Sequence, residues 1–147
     1  MLTVEATVVV ERPPEAILEW ISDLERYRRA DTKIAKVLHQ DPDRVRYRGR
    51  VRGLPTPSVE NTVHREPGRS LTFRGAPDHW TRHVLDFEGS FHCEPAGTGA
   101  TTVVHRESFG FKPAPVRWLL EAWLGRWLQR DIDDEVQRLK RLVEAES

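Results

Sequence analysis

The chain has a single cysteine, Cys93, so no internal disulfide can form. That excludes a disulfide-stapled secreted scaffold and points to a reducing cytoplasm. Net charge is absent too: 23 basic residues balance 23 acidic ones. A dedicated nucleic-acid binder would carry a basic excess, so no nucleic-acid partner is expected. No apolar run approaches the roughly 18 residues of a membrane span, and the opening MLTVEATVVVERPPE lacks the basic start and long apolar stretch of a signal peptide. Repeats, low-complexity tracts and linkers are missing. So are a Gly-rich phosphate loop, a Gly-x-Ser-x-Gly elbow and a nucleotide fingerprint. No cofactor is expected.

What is present is a polar but globular composition, 38% hydrophobic and 31% charged over 147 residues. This length suits one domain, residues 1–147, with a real core. Residues 3–11 (TVEATVVVE) read as a strand. Arg12-Pro13-Pro14 breaks it, and Pro14 suits the first turn of a helix, PEAILEWIS. A second short helix is predicted over residues 23–29, with Asp23 as N-cap. Six strands follow: residues 33–39, 44–52, 58–65, 70–75, 81–94 and 101–111. Turn residues recur about every ten positions between them, the mark of an antiparallel meander. After Pro113 and Pro115 the period changes. Val116, Leu120, Trp123, Trp127, Ile132, Val136, Leu139 and Val143 mark one amphipathic helix of about 30 residues. The predicted class is α+β: a seven-stranded curved antiparallel sheet wrapped around a long C-terminal helix, with two short helices after the first strand.

Three segments carry a resemblance over the whole chain. VVVERPPEAILEWISDLERYRRAD resembles an opening strand, Pro-led helix and Asp-Leu-Glu segment. FHCEPAGTGATTVVHRESFGF resembles a Gly-Thr hairpin between the last two strands. EVQRLKRLVE closes the final helix. In this order and spacing they resemble the helix-grip fold of the START-like (SRPBCC) superfamily, and within it the polyketide cyclase/dehydrase group. The resemblance implies that fold. It implies no single activity, because the superfamily includes lipid carriers, hormone receptors, aromatase/cyclases and co-chaperones and has no shared catalytic signature.

Strand alternation assigns faces. Val45, Tyr47, Gly49 and Val51 point inward, as do Val59, Asn61 and Val63, then Leu71 and Phe73. His83, Leu85, Phe87, Gly89, Phe91 and Cys93 share the inner face of the sixth strand. Thr101, Val103, His105, Glu107, Phe109 and Phe111 share that of the seventh. A turn near Gly97 would set Phe91 opposite Val103, Gly89 opposite His105 and Phe87 opposite Glu107. The Pro-rich turns at residues 53–57, 76–80 and 112–115 lie at one end, the predicted mouth of a cavity. Asn61, His83, His105 and Glu107 interrupt an otherwise apolar inner wall.

The candidate ligand-binding residues are Tyr47, Asn61, Phe73, Trp80, His83, Phe87, His105, Glu107, Phe109, Trp123 and Trp127. His105 and Glu107 are the candidate catalytic pair, acting as acid and base on a ketone or enol. The same polar groups would equally serve as a satisfied core network. Gly125 marks either close packing or space left for a ligand. His83, Cys93 and His105 match no compact metal motif, so no metal site is expected. Residues 131–135 (DIDDE) read as a solvated helix face. Arg44, Arg46, Arg48, Arg50 and Arg52 fall on one outer face, with Arg50 expected opposite Glu60 and Arg44 near Glu66. The leading expectation is a carrier of a small hydrophobic, lipid-like or polycyclic molecule, acting as monomer or homodimer. An aromatase/cyclase-type enzyme is the alternative, and a protein-interaction module using the Arg-rich face is a third.

Overall fold

Alternation in the first strand is strict. Val4, Ala6, Val8 and Val10 are buried, while Thr3, Glu5, Thr7 and Val9 face solvent. The structure, a computed structural model describing residues 1–146, places this segment as β1 (Leu2–Val10). Then come α1 (Pro14–Ser22), α2 (Leu24–Tyr27), β2 (Ile34–Gln40), β3 (Arg44–Val51), β4 (Leu54–Glu66), β5 (Ser70–Gly75), β6 (Leu85–Pro95), β7 (Thr101–Phe111) and α3 (Ala114–Ala145). All neighbours pair antiparallel in the order β1-β7-β6-β5-β4-β3-β2. The long helix lies against the inner face, the helix-grip arrangement that the element order implied.

Both short helices follow from local signals. Pro14 opens α1, whose Ile17, Leu18, Trp20 and Ile21 are buried. The Asp23 carboxylate accepts from the Glu25 amide and starts α2, whose Leu24 and Tyr27 are buried. β1 is an edge strand with unpaired carbonyls on its outer side. Gln129 Nε2 donates to Glu5 O at 2.9 Å and Lys140 Nζ to Val9 O at 2.7 Å, so α3 covers that edge. Among the described residues no helix is long and apolar enough to cross a membrane.

Four details differ from the sequence reading. First, β4 begins at Leu54 and runs 13 residues, because Arg52 and Gly53 take positive φ (52° and 77°) and form a two-residue hairpin turn. Glu60 therefore lies opposite Arg46, and Arg44 opposite Thr62. Second, the β6–β7 loop centres on Thr98, where Ala96 N donates to Ala100 O at 3.0 Å. Phe91 then faces His105, Gly89 faces Glu107 and Phe87 faces Phe109. Up to Arg48 on β3 and throughout β6–β7 the shifts are by an even number of residues, so these side chains keep their faces; a bulge between Arg48 and Arg50 breaks the register beyond.

Third, residues 80–83 form a short 3₁₀ turn rather than the start of β6. Fourth, the first half of α3 is rotated from the expected stripe. Leu124 and Leu128 turn inward with Ile132, Val136, Leu139 and Val143, while Val116, Trp118, Leu119 and Trp123 are exposed. Leu124 and Leu128 continue the three-to-four spacing of the buried second half, which the bulkier tryptophans masked.

Candidate functional site

Lys33 stands at the centre of a buried ionic cluster built by three separate parts of the chain. It precedes β2, and its backbone N donates to Asp31 Oδ1 at 3.0 Å, folding the segment back on itself. Its ammonium lies 2.6 Å from Asp131 Oδ2, 3.0 Å from Asp31 Oδ1, 3.1 Å from Glu135 Oε1 and 3.2 Å from Glu107 Oε1. Asp131 and Glu135 sit one turn apart on α3, and Glu107 comes from β7. Thr32 Oγ1 also donates to Asp131 Oδ1, at 3.3 Å.

His105, two residues before Glu107 on the same face, extends the cluster. Its Nδ1 lies 2.9 Å from Ser90 O, and its Nε2 lies 2.7 Å from Glu135 Oε2. The ring stacks on Phe91 with centroids 3.9 Å apart. Tyr27 OH donates to Glu135 from α2.

Charge here is shaped by burial and then by neighbours. Burial alone would raise the Glu135 carboxyl, but Lys33, His105 and the Tyr27 hydroxyl outweigh it and hold Glu135 well below the carboxylate range. Burial would lower His105, yet Glu135 and Glu107 lift it to about 9. Lys33 is likewise opposed by burial but driven well above its ordinary value by Asp31, Glu107, Glu135 and Asp131. Asp31 is raised to about 7 by burial and by Glu135, against the pull of Lys33. Glu107 is raised chiefly by burial, with Lys33 opposing. Four carboxyl groups thus crowd around two cations, and burial together with their neighbours raises Asp31 and Glu107.

A cavity of about 350 Å³ ends on this cluster. Asp31, Lys33, Tyr47, Asn61 and Glu107 form its inner end. Asn61 Nδ2 donates to Tyr47 OH at 3.3 Å. The walls are apolar, including Val59, Leu85, Phe87, Phe109, Leu124 and Leu128. The exposed Leu54, Trp80, Val84 and Trp123 mark the opening at the Pro-rich loops. Arg52 clasps this opening from the β3–β4 turn. Its guanidinium lies 5.0 Å from the Trp123 ring centroid, and its Nη1 donates to Trp123 O at 3.0 Å.

Of the residues singled out from sequence, Tyr47, Asn61, Trp80, Phe87, Glu107, Phe109 and Trp123 line this cavity. Phe73 and His105 border a narrow extension of about 30 Å³ below it. His83 does not join them. It lies on the 3₁₀ turn and is exposed, because the chain leaves the sheet before Leu85. Trp127 packs half-buried against the core, outside the cavity lining. Asp131 and Glu135 correct the reading of residues 131–135 as solvated: both are buried, and only Asp133 and Asp134 face water. Their i, i+4 spacing in phase with Leu124, Leu128 and Leu139 was the available signal. Tyr27, Asp31 and Lys33 had none, since their partners lie about a hundred residues away.

The Arg-rich face is also less uniform than its periodicity implied. Arg44 pairs with Glu60 and Asp78, each at 3.0 Å, and Arg46 lies 3.5 Å from Glu60. Arg52 leaves the face for α3. Ligand-type atoms of Asp31, Asp131 and Glu135 lie within 4.8 Å of one another, as do those of His105, Glu107 and Glu135. Both sets contact Lys33 or His105, so a metal ion there would have to displace a cation that the chain supplies itself. His83 lies on the turn before β6, and Cys93 near the far end of that strand.

The sequence model of the family described as polyketide cyclase / dehydrase and lipid transport matches residues 1–144. No curated protein sequence matches the chain. Among solved structures, a protein of Deinococcus radiodurans is 23% identical with a TM-score of 0.72, covering 97% of this chain and 98% of its own. The Zhui aromatase/cyclase from a Streptomyces species is 19% identical with a TM-score of 0.74, covering 97% and 93%. A START superfamily protein from Mycobacterium smegmatis is 17% identical with a TM-score of 0.67, covering 99% and 96%. At these identities the structural likeness speaks for the fold alone.

Proposed function

The chain belongs to the polyketide cyclase/dehydrase and lipid transport family, and from that premise we propose that it binds and carries a small hydrophobic molecule, lipid-like or polycyclic, in its cavity. The observation that carries this reading is the cavity itself. About 350 Å³ of apolar-walled space opens at one end and ends on a few convergent polar groups. Small-molecule pockets run from about 300 to 1,000 Å³ and have that division between wall and anchor. Phe87 and Phe109 supply aromatic wall, with centroids 5.3 Å apart, and Trp80 and Trp123 supply the rim.

Native mass spectrometry of the freshly purified protein tests it, together with tryptophan fluorescence against a lipophilic panel. A retained mass or saturable quenching is expected, and Val59→Trp, which fills the cavity, should abolish it. A uniformly empty protein whose fluorescence no compound moves would refute the carrier role.

A second reading, an aromatase/cyclase-type enzyme, draws on Glu107 alone of the expected pair. Its buried carboxyl is raised and reaches the cavity beside Asn61, as a proton donor to a carbonyl would need. His105 is less suited to act as a base, with Nδ1 on Ser90 O, Nε2 2.7 Å from Glu135 Oε2 and its imidazolium favoured to about 9. Under this reading Glu107→Gln keeps binding and loses turnover. Under the carrier reading no turnover exists to lose.

A further inference from the structure

We propose that the cavity selects molecules whose buried end donates hydrogen bonds, a hydroxyl or a protonated amine, and rejects those ending in a carboxylate. This rests on the ligand-binding reading above and names the chemistry of its inner end. Among the described residues Lys33 is the only cation lining the cavity, and its ammonium already faces four carboxylates within 3.2 Å. Two of its protons go to Asp131 and Glu135, and the third stays within reach of the Asp31 and Glu107 carboxylates. One N–H of the Asn61 amide is given to the Tyr47 hydroxyl, which leaves the other amide hydrogen and the Tyr47 O–H as neutral donors there. Carboxylates outnumber cations at this end. Glu107, 3% exposed and lining the cavity, keeps Oε1 without an aligned hydrogen-bond donor although the ammonium is 3.2 Å away.

Charge points the same way. Asp31, Glu107, Asp131 and Glu135 stand against Lys33 and His105, so an added carboxylate would join an existing excess in a site of low dielectric. A ligand hydroxyl would satisfy the free Glu107 oxygen. An ammonium would do so and also offset the excess negative charge. A free fatty acid entering head first is therefore disfavoured, and a phenol, sterol-like alcohol or amine is favoured.

Three probes of one shape test this by titration calorimetry at pH 7: 2-naphthylmethanol, 2-naphthylmethylamine and 2-naphthoate. The alcohol and the amine are expected to bind, with the naphthoate at least tenfold weaker than either. In Glu107→Gln, which keeps the shape and removes one carboxylate, the gap between amine and naphthoate should narrow several-fold. Naphthoate binding as tightly as the alcohol overturns the proposal, and so does a gap that Glu107→Gln leaves unchanged. If none of the three binds, nor any compound of the lipophilic panel, the ligand-binding reading fails and this one falls with it. Panel compounds binding only as carboxylates overturn this proposal alone.

Discussion

His105 Nε2 lies 2.7 Å from Glu135 Oε2, with the two side chains 2% and 0% exposed. This pair joins β7 to α3 at the middle of the grip. The helix is therefore held to the sheet by charge as well as by the apolar stripe that follows it.

The pair makes stability depend on pH in a stated direction. His105 is raised from 6.5 to about 9, so its contribution is whole below pH 6.5 and is lost as pH rises through 9. At 1.36 kcal/mol per unit this amounts to roughly 3 kcal/mol. Asp31, raised from 3.8 to about 7, acts with the same sign over a lower window: its contribution falls between those two values. Glu135 acts oppositely, stabilising above its ordinary 4.5 and losing that contribution in acid. Urea unfolding should therefore show greatest stability in mildly acidic solution and a decline from pH 6.5 to 9.5. His105→Gln should flatten the decline above 6.5. An imidazole titrating near 6.5 by NMR would contradict this account.

Lys33→Met should be among the most damaging single changes. It leaves buried carboxylates without their shared cation, a loss of about 3–5 kcal/mol in comparable cases. The cost should shrink toward pH 4.5, because protonated carboxyls no longer need the ammonium. Adding Asp31→Asn removes one of the stranded charges and should recover part of the loss at pH 7.5. Denaturant midpoints of the two variants at both pH values give the comparison.

Arg52→Gln isolates the clasp at the cavity opening. It removes an exposed cation–π contact worth about 0.5–1 kcal/mol and the bond to Trp123 O. Stability should fall by no more than about 1 kcal/mol, while Trp123 emission shifts and ligand dissociation speeds up. Stopped-flow release of a bound fluorophore reads the second effect. An unchanged release rate would mean that the clasp does not hold the opening.

The fold was legible because each level of the sequence agreed with the next: β-branched alternation, turn residues at regular intervals, then a change of period after Pro115. Faces survived where registers did not, since the errors along β6–β7 and along β3 up to Arg48 were even-numbered. The wall of the site could therefore be named, including Tyr47, Asn61, Phe87, Glu107 and Phe109. Its inner end could not. Lys33 looks like the polar start of a strand, and Asp131 and Glu135 look like part of an acidic run. Their burial is decided by partners 98 and 102 residues away, which no local pattern reports. His83 was misplaced for a local reason, the 3₁₀ turn that precedes β6.

Gly125 and Gly49 make a contrast that tests the packing around the cavity. Gly125 sits inside α3, where glycine costs up to about 1 kcal/mol relative to alanine. A Cβ there would meet only Leu2 Cδ1, at 3.7 Å, an ordinary van der Waals contact, and the residue does not line the cavity. Gly125→Ala should stabilise the protein by up to about 1 kcal/mol and leave ligand affinity unchanged. Gly49 lines the cavity, and a Cβ there would fall 2.5 Å from Thr56 Oγ1 and 3.2 Å from Lys33 O. That carbonyl also accepts from Arg50 N at 2.8 Å and so cannot easily move. Gly49→Ala should destabilise by about 1–3 kcal/mol, as overpacking does. Combining it with Thr56→Ala removes the nearer clash but not the carbonyl contact, so part of the loss should return. Thermal denaturation of the three variants decides it. Full recovery would place all the strain on Thr56, and no recovery would place it on the backbone that holds Lys33.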